Sequence, residues 1–167
     1  MKTLTKYLNE KLVINKDYND PYTYAPTSFD ELRKVIEDRY NKLGPGTKQK
    51  PIDFNDVDVS NIDSFRDKYK GLFEGTKFEY IDISNWDVSN IKNMRYMFYD
   101  CKRLETVGDL SKWNVSNVED IGYMFFGCEQ LKSVGDISNW NVSNVKNVNC
   151  MFGGCTEKII PYWYYKL

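Results

Sequence analysis

The chain contains no histidine among its 167 residues. Histidine is the side chain that most often acts as a general base, as a proton shuttle near neutral pH or as a zinc ligand. No Cys-x-x-Cys pair is present, which removes the usual signature of a zinc knuckle or a thioredoxin-like redox site. We therefore predict that the protein is not an enzyme and that it requires no metal or cofactor.

Strong charge of one sign and long apolar runs are also absent. The 23 basic and 24 acidic side chains nearly cancel, so the chain has no basic footprint for nucleic acid. Its apolar runs are far shorter than the roughly 20 residues that span a bilayer, and Met1 to Tyr7 lack the apolar core of a signal peptide. We expect a cytoplasmic location as synthesised, a protein partner, no nucleic acid, no membrane span and no small-molecule ligand.

What the sequence does contain is a repeat. The pattern Trp-Asp/Asn-Val-Ser-Asn-Ile/Val begins at Trp86, Trp113 and Trp140, so the units are 27 residues apart. A degenerate fourth copy begins at Val57. Units of this kind bury their apolar side only by stacking on their neighbours. The sequence therefore predicts a repeat array over residues 54–156.

Apolar residues within each unit lie at helix-like spacing after a serine that can cap a helix, and Ser116 with Glu119 forms a capping-box pattern. The expected helices carry Ile91, Met94, Met97, Phe98 and Cys101 and their equivalents up to Cys155. A leucine-rich-repeat spacing predicts a short strand at Ile81–Ile83, and Gly108 and Gly135 predict a bulge or open turn in the later units. The predicted fold is α/β, a short right-handed leucine-rich-repeat solenoid of about four strand-turn-helix units.

The two ends of the array need caps. A helix is predicted from Ser28 to about Leu43, with Leu32, Val35, Ile36 and Tyr40 on one face and Gly44-Pro45-Gly46 as its stop. It forms an N-terminal cap and lead-in over residues 25–53, whereas residues 157–167 supply an aromatic C-terminal cap. Residues 1–24 are predicted to be an amphipathic helix and a linker.

The repeat form W-D/N-V-S-N-x-x-x-x-x-Y-M-F-x-x-C, seen from Trp86 to Cys101 and from Trp113 to Cys128, resembles the BspA-like leucine-rich-repeat surface proteins. That repeat also occurs in mycoplasma lipoproteins and in short phage-encoded proteins. The resemblance implies binding rather than catalysis. It covers roughly residues 54–156.

Three sets of repeated residues could be either structural or functional. Each set is interpreted as a structural ladder: tryptophans as core, aspartates as acceptors for nearby backbone N–H groups, and cysteines as small apolar residues. We expect adjacent ladder cysteines at the ends of packed helices, roughly 8–10 Å apart, too far for a disulfide. The ladders are Trp86, Trp113 and Trp140; Asp82, Asp109 and Asp136; and Cys101, Cys128 and Cys155.

Positions between the ladder residues vary among the units and are the candidates for partner binding: Glu79, Tyr80, Glu105, Thr106, Lys132 and Ser133. A stripe on the first helix is the candidate docking face: Leu4, Tyr7, Leu8 and Leu12. The predicted function is a non-enzymatic protein-interaction module, with surface adhesion or recognition as the setting that the resemblance implies. The alternative is a structural or accessory component of a bacteriophage particle, docked through the N-terminal helix.

Overall fold

A computed structural model describes residues 23–166. Its helix α1 (Phe29–Leu43) begins after Ser28, whose side chain accepts a hydrogen bond from the Glu31 N–H. It ends at Gly44, which has a φ of 74° that suits glycine. The apolar face of α1 buries Leu32, Val35 and Ile36. The helix predicted from Ser28 to about Leu43 is confirmed.

Two short strands, β1 (Ile52–Asp53) and β2 (Ile81–Asp82), pair in parallel. Further along the chain the same pairing continues only as isolated bridges, from Tyr80 to Thr106 and from Thr106 to Ser133. A second series of bridges joins Ser64, Asn93, Asp120 and Asn147. Two 3-10 helices, Glu157–Ile159 and Tyr162–Lys166, follow the last unit.

The predicted solenoid of four strand-turn-helix units is wrong. Within residues 23–166, α1 is the one α-helix, and β1 and β2 are the two strands. The three helices expected over residues 91–101, 118–128 and 145–155 are absent, because the chain there forms successive turns. The capping box is wrong as well: the Ser116 hydroxyl donates to Asn114 Oδ1, and the Glu119 N–H donates to the Lys92 carbonyl.

The turns follow from a period of three in the buried residues. From Val88 to Trp113, buried apolar residues recur almost continuously at every third position, interrupted only by the adjacent pair Met97-Phe98. An α-helix has 3.6 residues per turn, so residues at every third position would spread around the helix axis and would not stay on one buried face. Backbone bonds of the three-residue turn type occur instead, as from Ile91 N–H to the Val88 carbonyl at 2.9 Å.

Neighbouring units stack through the backbone. Met94 N–H donates to the Asp120 carbonyl at 2.8 Å, and Phe98 N–H donates to the Met124 carbonyl at 2.8 Å. The spacing of these units is therefore that of hydrogen-bonded chains, about 4.8 Å, not that of packed helices.

The core consists of columns of equivalent side chains. Rings at the phenylalanine position stack with centroids 5.1, 5.2 and 5.7 Å apart from one unit to the next. Such offset pairs add to the burial of apolar area. The column contains Phe73, Phe98, Phe125 and Phe152.

The glycine inserted in the later units occupies a left-handed turn. Gly108 and Gly135 have φ values of 87° and 78°. A Cβ at Gly135 would lie 1.8 Å from Asp109 Oδ1, so both the conformation and the space at this turn require glycine.

Candidate functional site: an aromatic and arginine patch

Four aromatic rings lie half-buried on one side of the two central units. Tyr96 and Tyr123 have ring centroids 5.3 Å apart, and Tyr99 and Phe126 stack at 5.4 Å with their planes 9° apart. With Arg66 and Arg95, these rings form what we call the aromatic–arginine patch. All six side chains are partly exposed, unlike the phenylalanine column beneath them.

Two arginines lie against the rings. The Arg95 guanidinium lies 4.7 Å from the Tyr96 ring centroid and 5.2 Å from that of Tyr123, and the Arg66 guanidinium lies 5.5 Å from the Tyr96 centroid. The Arg95 side chain donates to the Tyr96 hydroxyl at 2.8 Å and pairs with Asp120 at 3.7 Å. The hydrogen bond with Tyr96 raises the pKa of Arg95. These contacts hold the positive charge over the aromatic faces.

The backbone at the two tyrosines is left-handed. Tyr96 and Tyr123 have φ values of 60° and 57°, a conformation that costs a bulky residue about 1–2 kcal/mol. The stacking of neighbouring units holds this backbone conformation in place, because the Tyr123 N–H donates to the Asn149 carbonyl of the next unit at 2.8 Å. Backbone strain of this kind concentrates at functional sites, and here it recurs in adjacent units.

The patch ends at the last unit. Cys150 occupies the position of Tyr96 and Tyr123, with the same left-handed backbone, and Gly153 occupies the position of Tyr99 and Phe126. A Cβ at Gly153 would lie 2.7 Å from the Phe126 ring. Tyr-x-x-Tyr/Phe at the same place in two units is the sequence signal for this patch, which sequence reasoning overlooked because the tyrosines appeared to belong to helices.

The six candidates for partner binding lie elsewhere in the units. Tyr80 directly precedes β2, and parallel bridges join Tyr80 to Thr106 and Thr106 to Ser133. Among residues 23–166, no hydrogen bond, ion pair or ring contact joins these candidates to the aromatic–arginine patch. The structure thus separates the two surfaces.

Several of the candidates for partner binding form ion pairs or hydrogen bonds along the stack. Glu79 forms an ion pair with Arg103, and Glu105 forms an ion pair with Lys132. The bond with Lys132 lowers the pKa of Glu105, and hydrogen bonding with Glu105 raises the pKa of Tyr80. This row is therefore a solvated network of charges along the stack.

The tryptophan ladder lies in the core. Trp86, Trp113 and Trp140 are 3–5% exposed. Each indole Nε1 donates to a backbone carbonyl of the preceding unit, at 2.8–3.2 Å. The column thereby ties neighbouring units together through a buried polar bond as well as through ring contact.

The aspartate ladder closes turns. Asp82, Asp109 and Asp136 each accept through Oδ1 from the N–H of the serine two residues later, at 2.9, 2.9 and 3.1 Å. Bonds from Ser111 lower the pKa of Asp109, and those from Ser138 lower the pKa of Asp136. These carboxylates serve the backbone of their own turns.

The cysteine ladder consists of free thiols. The Sγ atoms of Cys101, Cys128 and Cys155 donate to the carbonyls of Phe73, Phe98 and Phe125, each at 3.0 Å. The helix spacing of 8–10 Å expected between them does not apply, because no helices lie there and the units stack at hydrogen-bonding distance.

Three further points concern the N-terminal docking residues, metal binding and membrane spans. The candidate docking residues Leu4, Tyr7, Leu8 and Leu12 lie outside the described residues. Within the described range, no group of three or more cysteine, aspartate or glutamate side chains could hold a metal ion. No helix in that part of the chain is long and apolar enough to cross a membrane.

The repeat array coincides with a known family model. Residues 46–162 match the family described as "Mycoplasma protein of unknown function, DUF285". The chain belongs to the DUF285 family. This match spans both the aromatic–arginine patch and the three ladders of the DUF285 chain. No curated protein and no solved structure matches it.

Proposed function

We propose that this DUF285 protein is a non-enzymatic protein-interaction module that contacts its partner through the aromatic–arginine patch. The observation that carries the proposal is the pairing of half-exposed tyrosines with Arg95 at 4.7–5.2 Å. Tyrosine and arginine are the residues that most often dominate binding energy at protein interfaces. Their rings are held by the stack before any partner arrives, so little conformational entropy is lost on binding.

Further observations support binding rather than catalysis. The sequence has no histidine, and three of its four thiols donate to backbone carbonyls. The resemblance of the repeat to BspA-like surface proteins also favours binding, with adhesion or recognition as the setting.

Capture from native extract tests the proposal. The intact chain is compared with Tyr123→Ala, with Lys132→Ala in the charged row, and with a chain lacking residues 1–22. We expect Tyr123→Ala to weaken partner binding by about 2 kcal/mol, a loss of roughly 30-fold in affinity. Lys132→Ala tests the charged row, which contains the sequence-predicted partner contacts, and is expected to leave capture unchanged. Loss of capture with Lys132→Ala alone would move the binding site to that row.

The deletion separates this proposal from docking through the helix that the sequence predicts in residues 1–22. It stops before Tyr24, which pairs with Val57, so that pairing is retained. Loss of capture with the deletion and retention with Tyr123→Ala would overturn the patch as the binding site. Circular dichroism of each variant establishes that the fold survives.

A further inference from the structure

The last repeat unit leaves part of its apolar surface uncovered. We call residues 141–149 the terminal arm. Val142, Val145 and Val148 of this arm are half-exposed. In the preceding unit the equivalent side chains, Val115, Val118 and Ile121, are at most 2% exposed because the next unit covers them. The terminal arm is therefore an apolar surface built like a unit contact.

The C-terminal segment covers only the other half of this unit. Trp163 stacks on Trp140 and donates to the Ile137 carbonyl at 2.8 Å, and Tyr164 packs edge-on against Phe152. These contacts extend the tryptophan and phenylalanine columns by one layer. They do not extend over the three valines, which remain half-exposed.

In the described part of the chain, some backbone groups of the terminal arm that a further unit would engage are also unpaired. In the preceding unit, the Ile121 N–H donates to the Asn147 carbonyl at 3.0 Å, and the Ser116 carbonyl accepts from the Asn144 amide at 2.7 Å. Among the described residues, nothing accepts from the equivalent Val148 N–H or donates to the Ser143 carbonyl. The arm thus presents an unpaired donor and an unpaired acceptor along one edge.

The edge carries almost no charge. Between Ser138 and Cys155 the single charged side chain is Lys146, which pairs with Glu119 at 2.6 Å. Natural sheet edges are commonly protected from association by lysines, prolines or inward charges. This edge has a single lysine, whose charge is paired with Glu119, so an identical edge can approach it with little repulsion between like charges.

We propose that the terminal arm pairs with the terminal arm of a second copy of this chain, forming a closed dimer. A twofold axis runs the two arms antiparallel, which aligns N–H groups of each with carbonyls of the other. The valines of both copies then cover one another. Such an interface uses the same patch twice and ends growth at two chains. It is separate from the aromatic–arginine patch.

Sedimentation velocity of the full chain over a concentration series tests this proposal. We expect the mass to rise from one chain of 19.7 kDa to two chains. Made singly, Val145→Lys and Asn149→Lys each add a positive charge to both arms of the dimer, beside the Lys146 already present in each, so the two arms repel. Each is expected to weaken the dimer by about tenfold or more. Tyr69→Lys, at an exposed aromatic residue outside the arm, is the matched control.

A chain that stays monomeric throughout the series would overturn the proposal and leave the arm to a different occupant or to none. A dimer unaffected by both arm variants would place the interface elsewhere, and growth beyond two chains would exclude the twofold arrangement. Because Asn149 is exposed, its variant keeps the test valid if Val145→Lys disturbs the fold. Thermal unfolding of each variant checks that point.

Discussion

Trp163 stacks on Trp140 with ring centroids 6.4 Å apart and planes inclined by 22°. Trp163 thereby takes the position of a further repeat tryptophan although it belongs to no repeat. Its Nε1 donates to the Ile137 carbonyl at 2.8 Å, as Trp140 donates to the Leu110 carbonyl at 3.0 Å. Both the ring contact and the polar bond of the ladder are reproduced at its end.

Substitution of Trp163 should therefore destabilise the whole stack. We expect Trp163→Ala to lower the free energy of unfolding by about 2–4 kcal/mol, since the ring is partly buried and its removal exposes Trp140. Trp163→Phe retains ring contact but removes the indole donor from the Ile137 carbonyl, which keeps only the Trp140 N–H at 3.3 Å, at a cost of about 1 kcal/mol. Urea unfolding followed by circular dichroism measures both. Equal stability of Trp163→Ala and the unaltered chain would contradict the role assigned to this residue.

Acid should weaken the fold through the aspartate turns. The bonds from Ser111 and Ser138 hold the pKa values of Asp109 and Asp136 below the ordinary value of 3.8. A carboxyl group with a lowered pKa in the folded state stabilises the protein above its unfolded pKa. This contribution is lost as the pH falls below 3.8 and through the folded-state values. The urea midpoint should therefore decrease between pH 6 and pH 3.

The double variant Asp109→Asn with Asp136→Asn is the control for this pH dependence. Asparagine already performs the same turn closure elsewhere, because the Ser116 N–H donates to Asn114 Oδ1 at 3.2 Å. The variant should fold, and its urea midpoint should decrease less on acidification. An identical decrease in both proteins would assign the acid sensitivity to other carboxyl groups.

The four thiols should differ widely in reactivity. Cys150 is exposed, whereas Cys101 and Cys128 are buried and Cys155 is partly buried. Burial raises the pKa of Cys155 to about 11, and the contact with Cys101 raises the pKa of Cys128. Because the thiolate is the reactive form, a disulfide reagent at pH 8 should label one thiol rapidly in the folded protein and the other three only on unfolding.

Cys150→Ser should abolish the rapid labelling and leave the slow phase intact. Rapid reaction of two or more thiols in the folded chain would show that the ladder opens.

The raised pKa of Cys155 also predicts how the stability of the protein changes with pH. The neutral thiol is favoured in the folded state, so its contribution is complete below the ordinary value of 9.0 and is lost as the pH rises to about 11.

The sequence was a good guide to which residues are buried and a poor guide to the elements that bury them. Ile91, Met94, Met97 and Cys101 were all expected in the core, and each is at most 1% exposed. Their spacing matches a helix over two turns, and only its continuation at Leu104, Val107 and Leu110 distinguishes a period of three from one of 3.6. Helix α1 was predicted correctly because its cap and stop are local features of Ser28 and Gly44.

The aromatic–arginine patch could not be predicted from the same pattern. On a helix Tyr96 and Tyr99 would be one turn apart, with no reason to meet Tyr123 in the next unit. Their contact depends on unit spacing set by backbone bonds, such as that from Tyr96 N–H to the Gly122 carbonyl at 3.2 Å. Such a bond depends on the fold rather than on residue type.

The unit-to-unit bonds have a consequence for the length of the protein. Each unit offers its successor the same carbonyls and rings that it receives from its predecessor, as in the bonds from Trp113 to Ile83 and from Trp140 to Leu110. Duplication or deletion of one 27-residue segment would therefore preserve every such contact. Because a whole number of codons is added or removed, the reading frame is preserved too. Duplication of the segment in the gene can therefore lengthen the columns of stacked side chains while using the same core residues.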